Sequence, residues 1–362
     1  MNQSSNKIFI GTMSGTSFDG IDICAISETN KVQLIDFDSY KYPRGVKKEI
    51  ASVIENQKLS LKEYGELNIK VALAFSKAIN SFIKNKKILK ANIAAIGLSG
   101  QTLWHNPAGK YPFSIQAGDP KIVMKECSID VVSDFRNDHI KLGGKGAPLV
   151  PEFHQKIFSS PKNNRLIVNI GGISNYSYLI KSKSFMGSDC GPGNALMDWY
   201  CQKNLNRSFD KDGNLAKKGK IHLPSLKTML DDPFFKKRYP KSTGKEIFNQ
   251  KFIPKQLLKK SPEIILATLT ELSALSISRA IKSKEKFIKN LIVCGGGINN
   301  IFLMERIAHN INVPIISSNK FGFNPQAIES MAFGWLAKQR IEEQALYVNN
   351  KKGLLGYVTK AI

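Results

Sequence analysis

A chain of 362 residues with 42% apolar and 23% charged side chains is long enough for two ordinary domains and is balanced like a globular protein. Its net charge of +24 comes from 53 Lys and Arg against 29 Asp and Glu; the lysines lie in runs without interleaved aromatics, as at 84–90, 217–220 and 282–289, which reads as compositional drift and argues against a nucleic-acid partner. No apolar run approaches the roughly 18 residues of a membrane helix, no hydrophobic leader opens the sequence, and the five scattered cysteines lack CxxC spacing, so the expectation is a cytoplasmic protein without a membrane partner, disulfide framework or zinc site.

In chain order, Ile8–Ile10 and Ile21–Ile26 read as strands around the turn GTMSGTSFDGID, residues 11–22. Gly11, Gly15 and Gly20 let backbone N–H groups converge, hydroxyls from Thr12, Ser14, Thr16 and Ser17 crowd the same point, and Asp19 and Asp22 follow. Converging donors suit a phosphate and a nearby carboxylate suits its Mg²⁺, although a plain surface hairpin would use the same glycines. Val32–Tyr42 reads as a third strand, and Ser60–Ile83 as an amphipathic helix opened by a Ser60/Glu63 capping box. Ile93–Leu98 is a buried strand feeding a loop at 99–107, Asp119–Cys127 a helix, and Ile129–Asp134 another strand. Phe135–Pro151 shows little periodicity; its Arg136, Asp138, His139 and three glycines suggest a binding loop.

The second half repeats the opening pattern, with Arg165–Ile170, Gly171-Gly172 and Ser174–Ile180 forming strand, turn and strand. After Asp189 come a Gly191-Pro192-Gly193 turn and a helix start near Asn194. A polar loop at 238–248 and a long helix at 262–284 follow. The strand Leu291–Cys294 runs into Gly295, Gly296 and Gly297; a helix Ile301–His309, a strand Pro314–Ser317 and a helix from Pro325 complete the chain. Two lobes are expected, at 1–134 and 135–362, with the last residues crossing back.

Gly-rich turns after Ile10, Ile170, Phe185 and Cys294, spread over two hairpin-led halves, suggest one nucleotide site assembled between lobes. Neither a Walker A pattern nor a GxGxxG fingerprint occurs. Gly295–Gly297 would let a flat group approach the backbone, or serve only a sharp strand-to-helix turn. Asp189 suits a general base, or else a turn or cap. Asp19 and Asp22 read as metal or water-network ligands or as turn carboxylates, and Asp119 and Asp134 sit where capping explains them. Arg136 suits a bidentate clamp on an anion or a salt bridge. His105 and His139 lack metal-ligand spacing and serve at most as substrate contacts; no metal-binding residue is assigned.

The ordered set GTMSGTSFDGID, SGQTLWH, QAGDP, VVSDFR, GGKGAPLVP, NIGGISN, DCGPGNALMD, PKSTGKEIFN, VCGGGINN and NPQAIESMAF resembles the anhydro-N-acetylmuramic acid kinase family over nearly the whole chain. The resemblance implies an α/β, two-lobed fold of the actin, sugar-kinase and heat-shock ATPase class, ribonuclease H-like, with an inter-lobe cleft. It implies hydrolysis of the 1,6-anhydro bridge of 1,6-anhydro-N-acetylmuramic acid and phosphorylation of O6, with ATP and Mg²⁺, giving N-acetylmuramic acid 6-phosphate and ADP in peptidoglycan recycling. The family's ATP segment falls on Gly15, Thr16, Ser17, Phe18, Asp19, Gly20, Ile21 and Asp22; Gly171, Gly172 and Gly295–Gly297 join it on the nucleotide side. The family's catalytic aspartate matches Asp189. The substrate side is assigned to Gln101, His105, Gln116, Asp119, Arg136, Gly191 and Asn194, with the lactyl carboxylate as an inferred partner for Arg136.

Ser99 stands where the family has histidine, His139 where it has aspartate, Lys145 where it has glutamine and Cys190 where it has threonine. The alternatives are a kinase of the same fold for another amino sugar and a non-catalytic ATP-dependent binding protein; a homodimer is left open.

Overall fold

The computed structural model describes residues 7–15, 18, 20–244, 247–349 and 351–361, so the expectations for Thr16, Ser17 and Asp19 lie outside the described residues. The chain divides into two compact units. One runs up to Phe153 and takes in the segment from Ala327 onward; the other is His154–Gln326. The division thus falls after 153, whereas the sequence reading placed it after 134.

The first unit opens with an antiparallel meander of β1 (Ile8–Met13), β2 (Ile21–Glu28) and β3 (Val32–Tyr40). β4 (Ile93–Gly97) lies parallel to β1. β5 (Gln101–Asn106) and β6 (Phe113–Ala117) form a separate hairpin, and β7 (Val131–Ser133) runs parallel to β4. β1 and β2 are buried almost throughout, as expected of strands covered on both faces. The helix Leu61–Asn85 packs Val71, Phe75, Ile79 and Phe82 into this core and begins with the Ser60/Glu63 capping box. The helix Ile328–Ile341 covers the sheet so closely that a Cβ at Gly11 would run into the Ser330 carbonyl, and one at Gly97 into the Phe333 carbonyl.

The second unit repeats the plan. β8 (Asn164–Ile170), β9 (Ile173–Ile180) and β10 (Ser184–Pro192) form an antiparallel meander. β11 (Ile288–Cys294) lies parallel to β8, and β12 (Ile315–Ser317) parallel to β11. The orders β3-β2-β1-β4-β7 and β10-β9-β8-β11-β12 coincide, strand for strand and sense for sense. A meander extended by two parallel strands, made twice, is the α/β ribonuclease H-like plan of the actin, sugar-kinase and heat-shock ATPase class. The helix Pro262–Ile281 is long and apolar enough to pass for a membrane span, yet it is buried in the second unit's core. Late in the chain, β13 (Leu346–Val348) and β14 (Lys351–Gly353) form a ribbon, and β15 (Tyr357–Thr359) adds antiparallel to β7.

Four local expectations change. The expected loop after Leu98 is largely β5. The aperiodic stretch 135–151 contains the helix Phe135–Lys141, whose buried apolar residues are only Phe135 and Ile140, too few to show a period. Asp189 lies on β10 itself, where the register shifts between Asp189 and Gly191, and not in a turn. The last long helix starts at Ile328, three residues after Pro325, whose carbonyl accepts from the Gly295 amide instead of opening the helix.

Candidate active site

In the first unit, β1 runs through Met13, so the candidate phosphate turn is shorter than residues 11–22. The turn is held from below. Ser14 N–H donates to Ser99 Oγ at 3.3 Å, Ser99 N–H donates to Thr12 Oγ1 at 3.2 Å, and Ser14 Oγ lies 2.6 Å from Gln101 Oε1. Gln101 is fully buried, with Nε2 at 3.5 Å from the Gly15 carbonyl and 3.2 Å from that of Thr102. Its amide is therefore spent on shaping the turn, a support role that the substrate assignment did not anticipate. Phe18 N–H closes onto the Gly15 carbonyl at 3.0 Å while its ring packs on the first unit's core. Gly20 takes a 3.2 Å contact from Ser14 Oγ on its carbonyl, and Ile21 is a core residue. Asp22, half-buried on β2 opposite Met13 and Ser39, is the described carboxylate next to the turn.

The β5–β6 hairpin and the helix Phe135–Lys141 gather four of the sugar-side candidates. His105 Nδ1 lies 2.9 Å from Ser114 Oγ, to which Gln116 Nε2 donates at 2.7 Å. Arg136 Nη1 donates to the Gly146 carbonyl at 2.9 Å, and the Gly146 N–H donates to His139 Nδ1 at 2.9 Å. Burial first, then the Arg136 charge, pushes His105 and His139 down to about 4, so both are neutral near pH 7. Among the described residues, the buried Arg136 Nε has no hydrogen-bond partner. Lys145 is exposed on the same loop. Asp119 stands apart from this group: it caps the helix Pro120–Cys127, accepting from Lys121 N–H at 2.8 Å.

In the second unit, the turn Gly171-Gly172 carries the start of the helix Ala195–Asn204. Asn194 N–H donates to the Gly171 carbonyl, and Gly193 and Ala195 N–H donate to that of Gly172, at 2.9–3.1 Å. A Cβ at Gly193 would run into the Gly171 carbonyl, so this docking requires glycine. Asn194 takes the N-cap position without a side-chain cap, and Gly191 is packed against Ser276 with its carbonyl accepting from Ser174 Oγ at 3.1 Å. Asp189 is buried beside them; its Oδ2 accepts from Thr243 N–H at 2.8 Å, and its own N–H donates to the Lys241 carbonyl at 3.0 Å. Thr243 and Lys241 come from the polar loop after Arg238, whose proximity to Asp189 no local pattern could reveal.

Beyond β11, the Gly295 amide is tied to the Pro325 carbonyl at 2.9 Å, and Gly297 is packed against Ile170. A Cβ added at Gly296 would have room, its nearest contact being Gln326 Nε2 at 3.9 Å. Next to them lies a cavity of about 250 Å³ lined by Ile298, Asn299, Ser317, Asn319, Asn324, Pro325 and Gln326. Carboxamides without a charged side chain suit the donors and acceptors of a base and ribose. Asn319 was not singled out from the sequence, and Asn324 and Gln326 entered only as part of the motif NPQAIESMAF, with no role assigned. No group of three His, Cys, Asp or Glu among the described residues is placed to hold a metal by itself; Mg²⁺ in kinases leans chiefly on phosphate oxygens, with one or two carboxylates.

A family model described as anhydro-N-acetylmuramic acid kinase matches residues 7–354. The chain is 46% identical to the anhydro-N-acetylmuramic acid kinase of Gamma-proteobacterium EBAC31A08, over 99% of each protein. It is 41% identical to that of Sulfurimonas denitrificans over 97% of each, and 38% identical to that of Pasteurella multocida over 92% of this chain and 90% of the relative. Matches of this length leave no part of either unit outside the resemblance, and the chain belongs to the anhydro-N-acetylmuramic acid kinase family of sugar kinases.

Proposed function

We propose that the protein opens the 1,6-anhydro bridge of 1,6-anhydro-N-acetylmuramic acid and transfers the γ-phosphoryl group of ATP to O6, yielding N-acetylmuramic acid 6-phosphate and ADP. The observation that carries the mechanism is the buried Asp189 carboxylate with one oxygen fixed by the Thr243 amide. A carboxylate oriented in this way takes a proton from water as the water attacks C1; the C1–O6 bond breaks, and O6 attacks the γ-phosphorus. Mg²⁺ bound with ATP would supply charge neutralisation at the phosphates, and Asp22, on β2 next to the turn, is the residue that would hold it.

In the same reading the cavity beside Gly296 takes the adenosine, and the backbone of the β1–β2 turn meets the phosphates. Arg136 pairs with the lactyl carboxylate, with neutral His105 and Gln116 hydrogen-bonding the sugar. The protein works in the cytoplasm on a small molecule released by peptidoglycan turnover, engaging neither nucleic acid nor membrane. A coupled ADP-release assay tests this: ADP should appear with ATP plus the anhydro sugar and not with ATP alone. Equal release without sugar overturns it. His139 and Lys145, which depart from the family pattern beside Arg136, favour one second reading, a related amino sugar as substrate. Parallel assays with N-acetylglucosamine and N-acetylmuramic acid separate the two.

A further inference from the structure

Lys241 is buried, and among the described residues no carboxylate is paired with it. Its ammonium sits 4.2 Å from the ring centroid of Phe234, 4.4 Å from that of Tyr239 and 5.8 Å from that of Phe235, and donates to the Phe234 carbonyl at 2.9 Å. Burial pushes its proton affinity below the ordinary lysine value. A buried cation without a carboxylate partner is costly, and three ring faces and one carbonyl are what offset that cost here.

The same residue's main chain is fastened to the strand that bears Asp189. Lys241 N–H donates to Ser188 Oγ at 2.9 Å, and the Lys241 carbonyl accepts from Asp189 N–H at 3.0 Å and lies 3.1 Å from Ser188 Oγ. Two residues further on, Thr243 N–H reaches Asp189 Oδ2 at 2.8 Å. The caged ammonium and the two ends of Asp189, amide and carboxylate, thus hang on one three-residue segment.

We propose that Lys241 is a positioning residue for catalysis: its caged side chain pins residues 241–243 along β10, and through the Thr243 amide this sets the orientation of the Asp189 carboxylate. The inference rests on the reading of Asp189 as the base. It also explains why an irregular loop, with no period of its own, meets β10 at the point where the ladder shifts register.

The test is a double-mutant cycle on the full chain, read by coupled ADP release with the anhydro sugar. Lys241→Ala empties the cage, and Ser188→Ala loosens the same docking while leaving the cage intact. Each is expected to lower kcat by about tenfold to a hundredfold, because small misplacements of a catalytic group cost that much. KM for ATP and for the sugar should stay within about twofold, since both side chains are buried within the second unit. In an Asp189→Asn background, adding either substitution should cost nothing further on the residual rate. Should Lys241→Ala fail to fold by its melting curve, Ser188→Ala carries the cycle alone. Wild-type kcat in the folded single variants, or losses that multiply on top of Asp189→Asn, overturns the proposal while leaving Asp189 as the base. Wild-type turnover by Asp189→Asn itself is a different result, and it overturns the assignment of the base together with the inference built on it.

Discussion

The Gly146 amide donates to His139 Nδ1 at 2.9 Å, which requires that nitrogen to be unprotonated and places the ring proton on Nε2. Arg136 holds the carbonyl of the same glycine. A second proton on His139 would remove the acceptor and set a new cation beside Arg136.

A pH dependence of stability follows. The folded protein holds His139 and His105 at about 4 and His154, through burial, at about 3, all below the ordinary value of 6.5. The unfolded chain therefore binds more protons between these limits, and stability falls as pH drops from about 6.5 toward 4. His139→Gln, which retains an acceptor but cannot titrate, should flatten the slope of unfolding free energy against pH in that window by up to roughly one proton. Chemical denaturation at a series of pH values measures it, and an unchanged slope argues against a neutral His139 in the fold.

Asp189→Asn keeps the shape of the side chain and removes its basicity. The variant should melt within a few degrees of the wild type, keep its thermal shift with ATP and lose about two to four orders of magnitude in kcat, the usual range for a general base. Coupled ADP release and a melting curve with and without ATP supply both numbers.

Gly296→Val tests the adenosine side separately. A Cβ there meets nothing closer than Gln326 Nε2 at 3.9 Å, so folding should be unaffected. The branched side chain stands over the carboxamide-lined cavity, and KM for ATP should rise by about tenfold or more while KM for the sugar holds. Equal changes in both constants would place the nucleotide elsewhere.

Gly97→Ala is a stability prediction. The added methyl meets the Phe333 carbonyl of the covering helix, and neither backbone can yield without parting helix from sheet. A loss of about 1–3 kcal/mol is expected from overpacking of this kind. Denaturant titration reads it, and a variant of wild-type stability would mean that the helix rides higher on β4 than described.

Much of this architecture was legible in advance because its strands are buried on both faces. Ile8–Ile10, Arg165–Ile170 and Leu291–Cys294 read as apolar runs and Ile21–Ile26 as an alternating one, and each lies within a strand. The β5–β6 hairpin was hidden for the opposite reason: Trp104, Phe113 and Ile115 are partly exposed, while His105, Ser114 and Gln116 turn polar groups inward. Gln101 was visible as a site residue, but its service to the Ser14–Gly15 turn depends on a parallel bridge between Ser14 and Gln101 that no local spacing announces. Asp189 was named from its neighbours in sequence, yet what orients it arrives from Thr243, more than fifty positions later.

The glycines beneath the helix Ile328–Ile341 also bear on the order in which the protein is made. The second unit is one uninterrupted stretch of chain and can finish as soon as it leaves the ribosome. The first unit cannot: β1 and β4 precede the second unit in the chain, and the helix shaped to cover them follows it. While the second unit is being made, the face of β1 and β4 that this helix covers lacks its own lid, so closing the first unit has to wait for the second to be synthesised.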